Sequence, residues 1–450
     1  MNVFFVSLGC DKNLVDSEVM LGILRERGFG FTDDEAEADV IIVNSCCFIG
    51  DAKEESINTI LQMAEYKPEG SCQGKLKALV VTGCLAQRYA EEIKQEIPEV
   101  DACVGTTAYD KIAAVLDRVL AGEKQVSEIA NINDLPLPDS RRIITTGGYY
   151  SYLKIAEGCD KYCTYCIIPK LRGSYRSVPI ERLVNEAKEL VESGVRELIL
   201  VAQETTLYGT DLYGEKSLPR LLKELCKLED LKWIRILYCY PEEITDELID
   251  TIKNEKKICN YIDMPIQHAS DSILKRMGRR TNRDELSDKI ARIREAIPDI
   301  ALRTTLISGF PGETQEDHEL LMEFVNETEF DRLGVFTYSA EEDTAAASMP
   351  DQIDEEVKVL RRDEIMQLQQ EIAYEHAENM VGRTMEALIE GRVVEEDIYA
   401  ARTYMDAPNV DGFVFINSSR ELMSGDVVFV KITGANEYDL IGELVDESTE

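Results

Sequence analysis

The chain is short of positive charge, of long apolar runs and of repeated segments, and each shortage removes a class of function. Its 450 residues carry 49 Lys and Arg against 86 Asp and Glu, a formal net charge of −37. A surface that negative repels polyanions, whereas a general nucleic-acid binder presents a basic footprint to the phosphates. A solubilising acidic coat accounts for such a charge as readily as attraction to a strongly basic protein partner does. No apolar stretch approaches the roughly 20 residues that span a bilayer, so no membrane role is expected. Residues 1–6 lack a basic leader and a cleavage site, and they read as a first strand rather than a signal peptide. Histidine is scarce at three residues, and His268 reads best as a satisfied core imidazole. Cysteine is not scarce. Twelve cysteines in a long chain without a signal argue for metal ligands over disulfides, because the cytosol keeps thiols reduced, and a cytoplasmic protein is expected.

Three of the twelve stand in Gly158-Cys159-Asp160-Lys161-Tyr162-Cys163-Thr164-Tyr165-Cys166, a C-x3-C-x2-C run one thiolate short of a closed four-coordinate site. Structural zinc and ferredoxin-type iron–sulfur sites normally recruit four protein ligands. Three leave one metal position for an exchangeable ligand, and an open position is where metal chemistry happens. Zinc and unligated thiols are the plainer alternatives. The spacing resembles the radical S-adenosylmethionine (SAM) enzymes, whose 4Fe–4S cluster uses its fourth iron to hold SAM.

An α/β architecture in three parts is expected. Residues 1–130 alternate apolar strands (Val3–Leu8, Asp39–Asn44, Ala78–Thr82, Ala102–Val104) with helical stretches (Ser17–Arg27, Glu54–Ala64, Lys111–Leu120), which implies an open parallel sheet covered by helices. Cys10, Cys46 and Cys84 each follow a strand, at the edge where open α/β sheets keep their ligand crevice. Any one of them reads as a buried free cysteine, but three at equivalent strand ends point to a second three-thiolate cluster. Residues 131–148 read as a linker. Across residues 149–379 six further β/α units suggest a full or partial (β/α) barrel, with the cysteine run after its first strand. Residues 380–450 change to short alternating strands, a small antiparallel β-barrel. From Met380 on, five basic residues face fifteen acidic ones, a balance of −10.

Two cysteine triads on an α/β domain and a barrel, followed by a small β-barrel, resemble the methylthiotransferase family of radical SAM enzymes over essentially the whole chain. The resemblance rests on Ser7-Leu8-Gly9-Cys10-Asp11-Lys12-Asn13, Val43-Asn44-Ser45-Cys46, Val81-Thr82-Gly83-Cys84, the stretch from Gly158 to Gly173, Asp263-Met264-Pro265-Ile266-Gln267-His268 and Ser308-Gly309-Phe310-Pro311-Gly312-Glu313-Thr314. The C-terminal segment is similar to that family's TRAM domain. Within the family, Ile167-Ile168-Pro169-Lys170-Leu171-Arg172-Gly173, Tyr238-Cys239-Tyr240-Pro241 and Gly334-Val335-Phe336-Thr337-Tyr338-Ser339 look like the branch that modifies an aspartate of ribosomal protein uS12. The charge agrees, because an enzyme acting on tRNA adenosines would carry a basic TRAM domain, and this one would repel phosphates and attract a Lys/Arg-rich protein.

The resemblance implies two 4Fe–4S clusters, with SAM as both methyl donor and radical source. Cys159, Cys163 and Cys166 would hold the cluster that chelates SAM, and Cys10, Cys46 and Cys84 an auxiliary cluster that presents sulfur. The product would be a methylthio group on the aspartate β-carbon. The family implies a flavodoxin- or ferredoxin-like electron donor and names no sulfur donor; the substrate would be uS12, free or in the small subunit. Tyr165 could pack on the adenine or be a plain loop aromatic; Gln203 and Glu204, at the end of a barrel strand, could bind the SAM amino group, and Arg303 a carboxylate. Cys47, Cys72, Cys103, Cys226, Cys239 and Cys259 are expected to be non-ligands, with Cys46 preferred to its neighbour Cys47. The competing readings are a tRNA adenosine methylthiotransferase of the same architecture and, from another class, a non-catalytic iron–sulfur or zinc scaffold.

Overall fold

A computed structural model describes residues 1–72, 74–393 and 397–445. The last residues of the expected C-terminal domain, 446–450, lie outside the described residues. From the N-terminus the elements are β1 (Asn2–Ser7), α1 (Asp11–Glu26), β2 (Gly30–Phe31), β3 (Val40–Ser45), α2 (Gly50–Ala64), β4 (Ala78–Gly83), α3 (Cys84–Glu96), β5 (Ala102–Val104), α4 (Ile112–Leu120) and β6 (Val126–Glu128). There follow β7 (Tyr150–Lys154), β8 (Ala156–Glu157), α5 (Ile168–Arg172), β9 (Arg176–Ser177), α6 (Ile180–Glu192), β10 (Glu197–Val201), α7 (Thr210–Tyr213), α8 (Leu218–Leu225), β11 (Trp233–Ile236), α9 (Asp246–Asn254) and β12 (Tyr261–Asp263). The remainder comprises α10 (Asp271–Arg276), α11 (Arg283–Ala296), β13 (Ala301–Ser308), α12 (Gln315–Thr328), β14 (Arg332–Thr337), α13 (Glu355–Met380) and strands β15 (Thr384–Arg392), β16 (Ile398–Arg402), β17 (Val414–Asn417), β18 (Val427–Asn436) and β19 (Asp439–Leu444).

The chain divides into two compact units. The first holds Met1–Thr145 together with Ala156–Arg176 and Ser339–Ala347; the second holds the rest. In the first unit six parallel strands run in the order β2-β1-β3-β4-β5-β6. β3 and β4 are buried on both faces, which is why they read as unbroken apolar runs (Val40–Val43, Ala78–Val81) rather than alternating ones. One apolar cluster on this sheet joins Ile41, Val43, Cys47, Val81, Cys84 and Leu85 to Ile167 and Leu171. Ile167 and Leu171, just after the second cysteine run, therefore pack with the N-terminal sheet. The segment expected as a linker is tied to the same unit, where the Thr145 backbone N–H donates to the Glu18 carboxylate at 2.7 Å.

In the second unit β7, β10 and β11 form one parallel sheet and β12, β13 and β14 another. A parallel bridge between Ile234 and Ile258 brings the two edges together, so six strands follow one another in chain order. Among the described residues β14 does not pair with β7, and the (β/α) barrel is partial. The C-terminal strands close a barrel in the order β15-β16-β17-β19-β18. It is not wholly antiparallel as expected from the sequence: β17 and β19 pair in parallel. A ring of five strands cannot alternate direction all the way round, so closure forces at least one parallel pair.

A buried ion triad stitches this small barrel to the (β/α) strands. Glu197 on β10 accepts from Arg235 at 2.8 Å and from Arg402 on β16 at 2.7 Å, and all three side chains are fully buried. Burial pushes the Glu197 pKa up, but Arg402 and Arg235 outweigh it and hold the carboxyl below its ordinary value. Breaking such a set by removing one member leaves uncompensated charge. Glu197→Ala is expected to destabilise the unit by about 3–5 kcal/mol, read as a shift of its urea transition to lower concentration.

Candidate iron–sulfur site

The first-unit sheet has its switch point between β1 and β3, where successive connections leave in opposite directions, and ligands of open α/β sheets bind there. Cys10 follows β1, Cys46 follows β3 and Cys84 follows β4, so sheet order alone brings the three to one edge. Cys46 and Cys84 are buried and Cys10 is exposed. Burial, with the neighbouring Cys84 and Cys10 adding to it, pushes the Cys46 thiol up to about 12. Burial likewise raises Cys84, against which the adjacent Arg172 guanidinium works, while Cys10 adds to the rise. Among the described residues no three Cys, His, Asp or Glu side chains close around a single metal ion. A 4Fe–4S cubane takes each thiolate on a different iron, so its sulfurs stand farther apart than the ligands of one ion, and an all-sulfur donor set suits it.

The residues around these cysteines account for the motifs that contain them. Asn13 donates to the carbonyls of Leu8 at 3.0 Å and Ser45 at 3.1 Å, pinning the two strand ends that carry Cys10 and Cys46. Asn44 donates to the Asn13 carbonyl at 2.8 Å, and Ser45 reaches across to the Thr82 carbonyl at 2.5 Å. Ser56 on α2 accepts from the Cys46 N–H at 2.9 Å. Gly9 and Gly83 adopt φ +86° and +89°, where a side chain is strained. A Cβ on Gly9 would stand 2.6 Å from the Cys46 Cβ and 2.9 Å from its sulfur; one on Gly83 would meet the Ser45 carbonyl at 2.5 Å and the Asn44 side chain. Gly9→Ala is therefore expected to push the Cys46 side chain aside with the secondary structure intact and, if Cys10, Cys46 and Cys84 hold iron, to lower the iron content, as checked by iron analysis beside far-UV circular dichroism.

The second set lies in the loop between β8 and α5. Cys159 and Cys163 are buried and Cys166 partly so. Burial raises the Cys166 thiol, a backbone N–H from Ile168 opposes it, and Cys163 and Cys159 add to the rise. The loop is tied at both ends: the Cys159 N–H donates to the Gly173 carbonyl at 3.1 Å and the Tyr175 N–H to Asp160 at 3.1 Å. Gly158 at φ +79° is required, because a Cβ there would run into the Ser174 carbonyl. Tyr162 sits at φ +52° with its ring 67% exposed, so the loop turns sharply before Cys163.

Of the expected SAM contacts, Tyr165 lies in this loop. Gln203 and Glu204 follow the C-terminal end of β10, and the fully buried Glu204 accepts from the Thr206 N–H at 3.0 Å. Arg303 is placed differently. It is the third of eight residues in β13, toward the strand's N-terminal end, and its charge is already met by Asp263 at 2.7 Å and Asp411 at 3.4 Å. It lines a cavity of about 370 Å³ with Arg332, Gln369 and Phe413. Strand register takes it away from the edge where a barrel keeps its chemistry. His268 is fully buried in the core, its Nδ1 accepting from the Ser270 N–H at 2.9 Å.

Sequence reasoning missed Arg172. At 2% exposure it is among the largest fully buried side chains, and it donates to Asp16 at 2.8 Å, to Glu157 at 3.2 Å and to the side-chain amide oxygen of Asn13. The one signal in the sequence was an arginine closing a short apolar helix six residues after Cys166; its partner Asp16 lies 156 residues away and Asn13 159.

Comparison with known proteins places the chain. Residues 2–105 match the uncharacterized protein family UPF0004, residues 153–325 the radical SAM superfamily and residues 381–445 the TRAM domain. The ribosomal protein uS12 methylthiotransferase RimO of Lachnoclostridium phytofermentans is 66% identical over 98% of this chain and 99% of that protein. The protein of the same name from Clostridioides difficile is 52% identical over 99% of each. Among solved structures, the radical S-adenosylmethionine methyltransferase TsrM from Kitasatospora setae, with cobalamin and a 4Fe–4S cluster bound, aligns at a TM-score of 0.53 over 75% of this chain and 72% of that one. At 14% identity that likeness speaks for the fold alone. With near-complete coverage at 66% identity, the chain belongs to the family of ribosomal protein uS12 methylthiotransferases.

Proposed function

We propose that this chain places a methylthio group on the β-carbon of an aspartate in ribosomal protein uS12, with SAM as methyl donor and as radical source. The observation that carries the reading is the pair of three-cysteine sets gathered in one unit, each a thiolate short of filling a cubane. Cys159, Cys163 and Cys166 hold a SAM-binding 4Fe–4S cluster in this reading, and Cys10, Cys46 and Cys84 an auxiliary one. When bound, the clusters supply the electron that cleaves SAM and the sulfur that is transferred.

The chain's own residues supply the rest. An aspartate β-hydrogen is too weakly acidic for a side-chain base near pH 7, so the protein's task is to orient and to exclude water rather than to move a proton. Asn13, Asn44 and Ser45 fix the three strand ends, and the missing side chains of Gly9 and Gly83 leave room beside the Cys46 sulfur and beside Asn44 and Ser45. In this reading the Tyr165 ring of the cysteine loop packs on the SAM adenine. Acidic residues of the C-terminal barrel draw in a Lys/Arg-rich protein. A flavodoxin- or ferredoxin-like donor in the cytoplasm supplies electrons.

The test offers uS12 and tRNA together to anaerobically reconstituted protein with SAM, sulfide and reductant, followed by mass spectrometry. A methylthio increment on a uS12 aspartate, with tRNA unchanged, is the expected result. Modified adenosine with untouched protein would assign the chain to the tRNA reaction instead.

A further inference from the structure

Ser339–Ala347 follows β14 in the chain yet belongs to the first unit, where it is tied to segments of both cysteine sets. The Gly50 N–H, at the start of α2 and shortly after Cys46, donates to the Ser339 hydroxyl at 3.3 Å, and that hydroxyl donates in turn to Glu341 at 2.8 Å. On α3, the helix that Cys84 opens, Arg88 donates to the Glu342 carbonyl at 2.6 Å and the Tyr89 hydroxyl to the Glu342 carboxylate at 3.2 Å. In the second cysteine run the carbonyl of Thr164, between Cys163 and Cys166, accepts from the Ala346 N–H at 2.8 Å. Arg88 is the hub of these ties. Its guanidinium lies 4.9 Å over the Tyr89 ring and 3.8 Å from the carboxylates of both Glu341 and Glu342. The Arg88 side chain is 10% exposed and that of Glu341 5%. α3 leaves helical geometry at Tyr89 (φ −125°, ψ 29°), the residue that shares the Glu342 contact.

Loops run over the surface because water satisfies their backbone groups there. This loop instead spends its polar groups on partners 253 to 289 positions away in α2 and α3, and on the Thr164 carbonyl. An exposed ion pair would add little, but Arg88 and Glu341 are withdrawn from water, and removing one would strand the charge of the other. Chemistry shared between two loops needs their separation held, because a misplacement of about 1 Å can cost about 10²-fold in rate. We propose that Ser339–Ala347 is a strap that sets the separation of the two cysteine sets, with Arg88 as its positioning residue, a role that rests on the methylthio-transfer reading of those sets.

The experiment compares full-length reconstituted protein in three forms: unaltered, Arg88→Lys, and Arg88→Met combined with Glu341→Gln, which removes both buried charges together. Hydrogen–deuterium exchange is followed in peptides from the strap, the Cys159–Cys166 loop and β3–β4. Iron per protein is measured beside it, with the methylthio groups placed on uS12 per 5′-deoxyadenosine formed. Expected are full iron and unchanged protection of β3 and β4 in all three forms. In the Met/Gln form the strap and the Cys159–Cys166 loop exchange at least about tenfold faster. SAM cleavage continues in that form, while methylthio groups per 5′-deoxyadenosine fall at least about tenfold. The Lys form, which keeps the charge, falls in between. If the Met/Gln form loses the β3–β4 protection, the Lys form decides by the same two readings. Unchanged exchange, or faster exchange with an unchanged transfer ratio, would make the strap an ordinary packed loop and overturn the proposal. Iron lost from a folded variant would make Arg88 a support for holding the metal and overturn it too. No methylthio group on uS12 from the unaltered protein would instead overturn the reaction assigned to the chain.

Discussion

Replacing Cys163 by alanine is expected to abolish reductive cleavage of SAM while the protein keeps close to half of its iron. Cys163 is buried in a loop closed by the Cys159–Gly173 and Asp160–Tyr175 hydrogen bonds, so no other sulfur of that loop can move in to replace it. Losing a direct ligand should cost more than the roughly 10–100-fold that outer-shell changes cost at metal sites. The measurement is 5′-deoxyadenosine formed per protein in the presence of dithionite, beside iron per protein. Cys239→Ala is the control. That cysteine is as deeply buried, but it sits against the Thr205 hydroxyl at 3.6 Å in the second unit, and its loss should change neither number. Cleavage of SAM at the normal rate by the Cys163 variant would remove the loop from the chemistry.

Cys84→Ala is expected to do the converse, leaving SAM cleavage intact and stopping methylthio transfer. Cys84 opens α3 directly after Gly83, which stands at a positive φ, and its side chain is buried. On the proposed assignment a second cubane would then have two protein ligands left. The variant should lose about half of its iron, form 5′-deoxyadenosine and leave uS12 without added sulfur. Cys47 makes the comparison sharp. It neighbours Cys46, is fully buried, and has its thiol pushed up by burial and by Cys84. If Cys46 is the ligand, Cys47→Ala keeps its iron and its transfer activity; if iron is lost there and kept in Cys46→Ala, the two exchange roles.

Much of this was legible because the physics is local. The C-x3-C-x2-C spacing and the strand-end placement of Cys10, Cys46 and Cys84 follow from short-range patterns, and parallel strands put their C-terminal ends on one edge wherever they fall in sequence. The misses share a cause as well. α1 begins at Asp11 rather than near Ser17, because Cys10 at its N-cap makes no side-chain capping bond and the first turn buries the polar residues Lys12 and Asn13. The one signal of a helix start there was the acidic Asp11 in the first turn, with no capping side chain before it. The start of α3 at Cys84 was hidden in the same way, Gly83 at φ +89° standing where a capping side chain is usually found. Arg172 was missed because its role depends on Asp16 and Asn13, which only the folded sheet brings to it. The parallel β17–β19 pair is a closure property of five strands and has no local signature.

The central claim is that the hydrogen removed belongs to the aspartate β-carbon of uS12 and is replaced by sulfur. It is tested most directly with uS12 carrying aspartate deuterated at the β-carbon, reacted with the reconstituted protein and SAM. The expected result is deuterium in the recovered 5′-deoxyadenosine, together with a methylthiolated aspartate that has lost one deuterium. Deuterium-free 5′-deoxyadenosine alongside full methylthiolation, or an aspartate that keeps all its label, would contradict it.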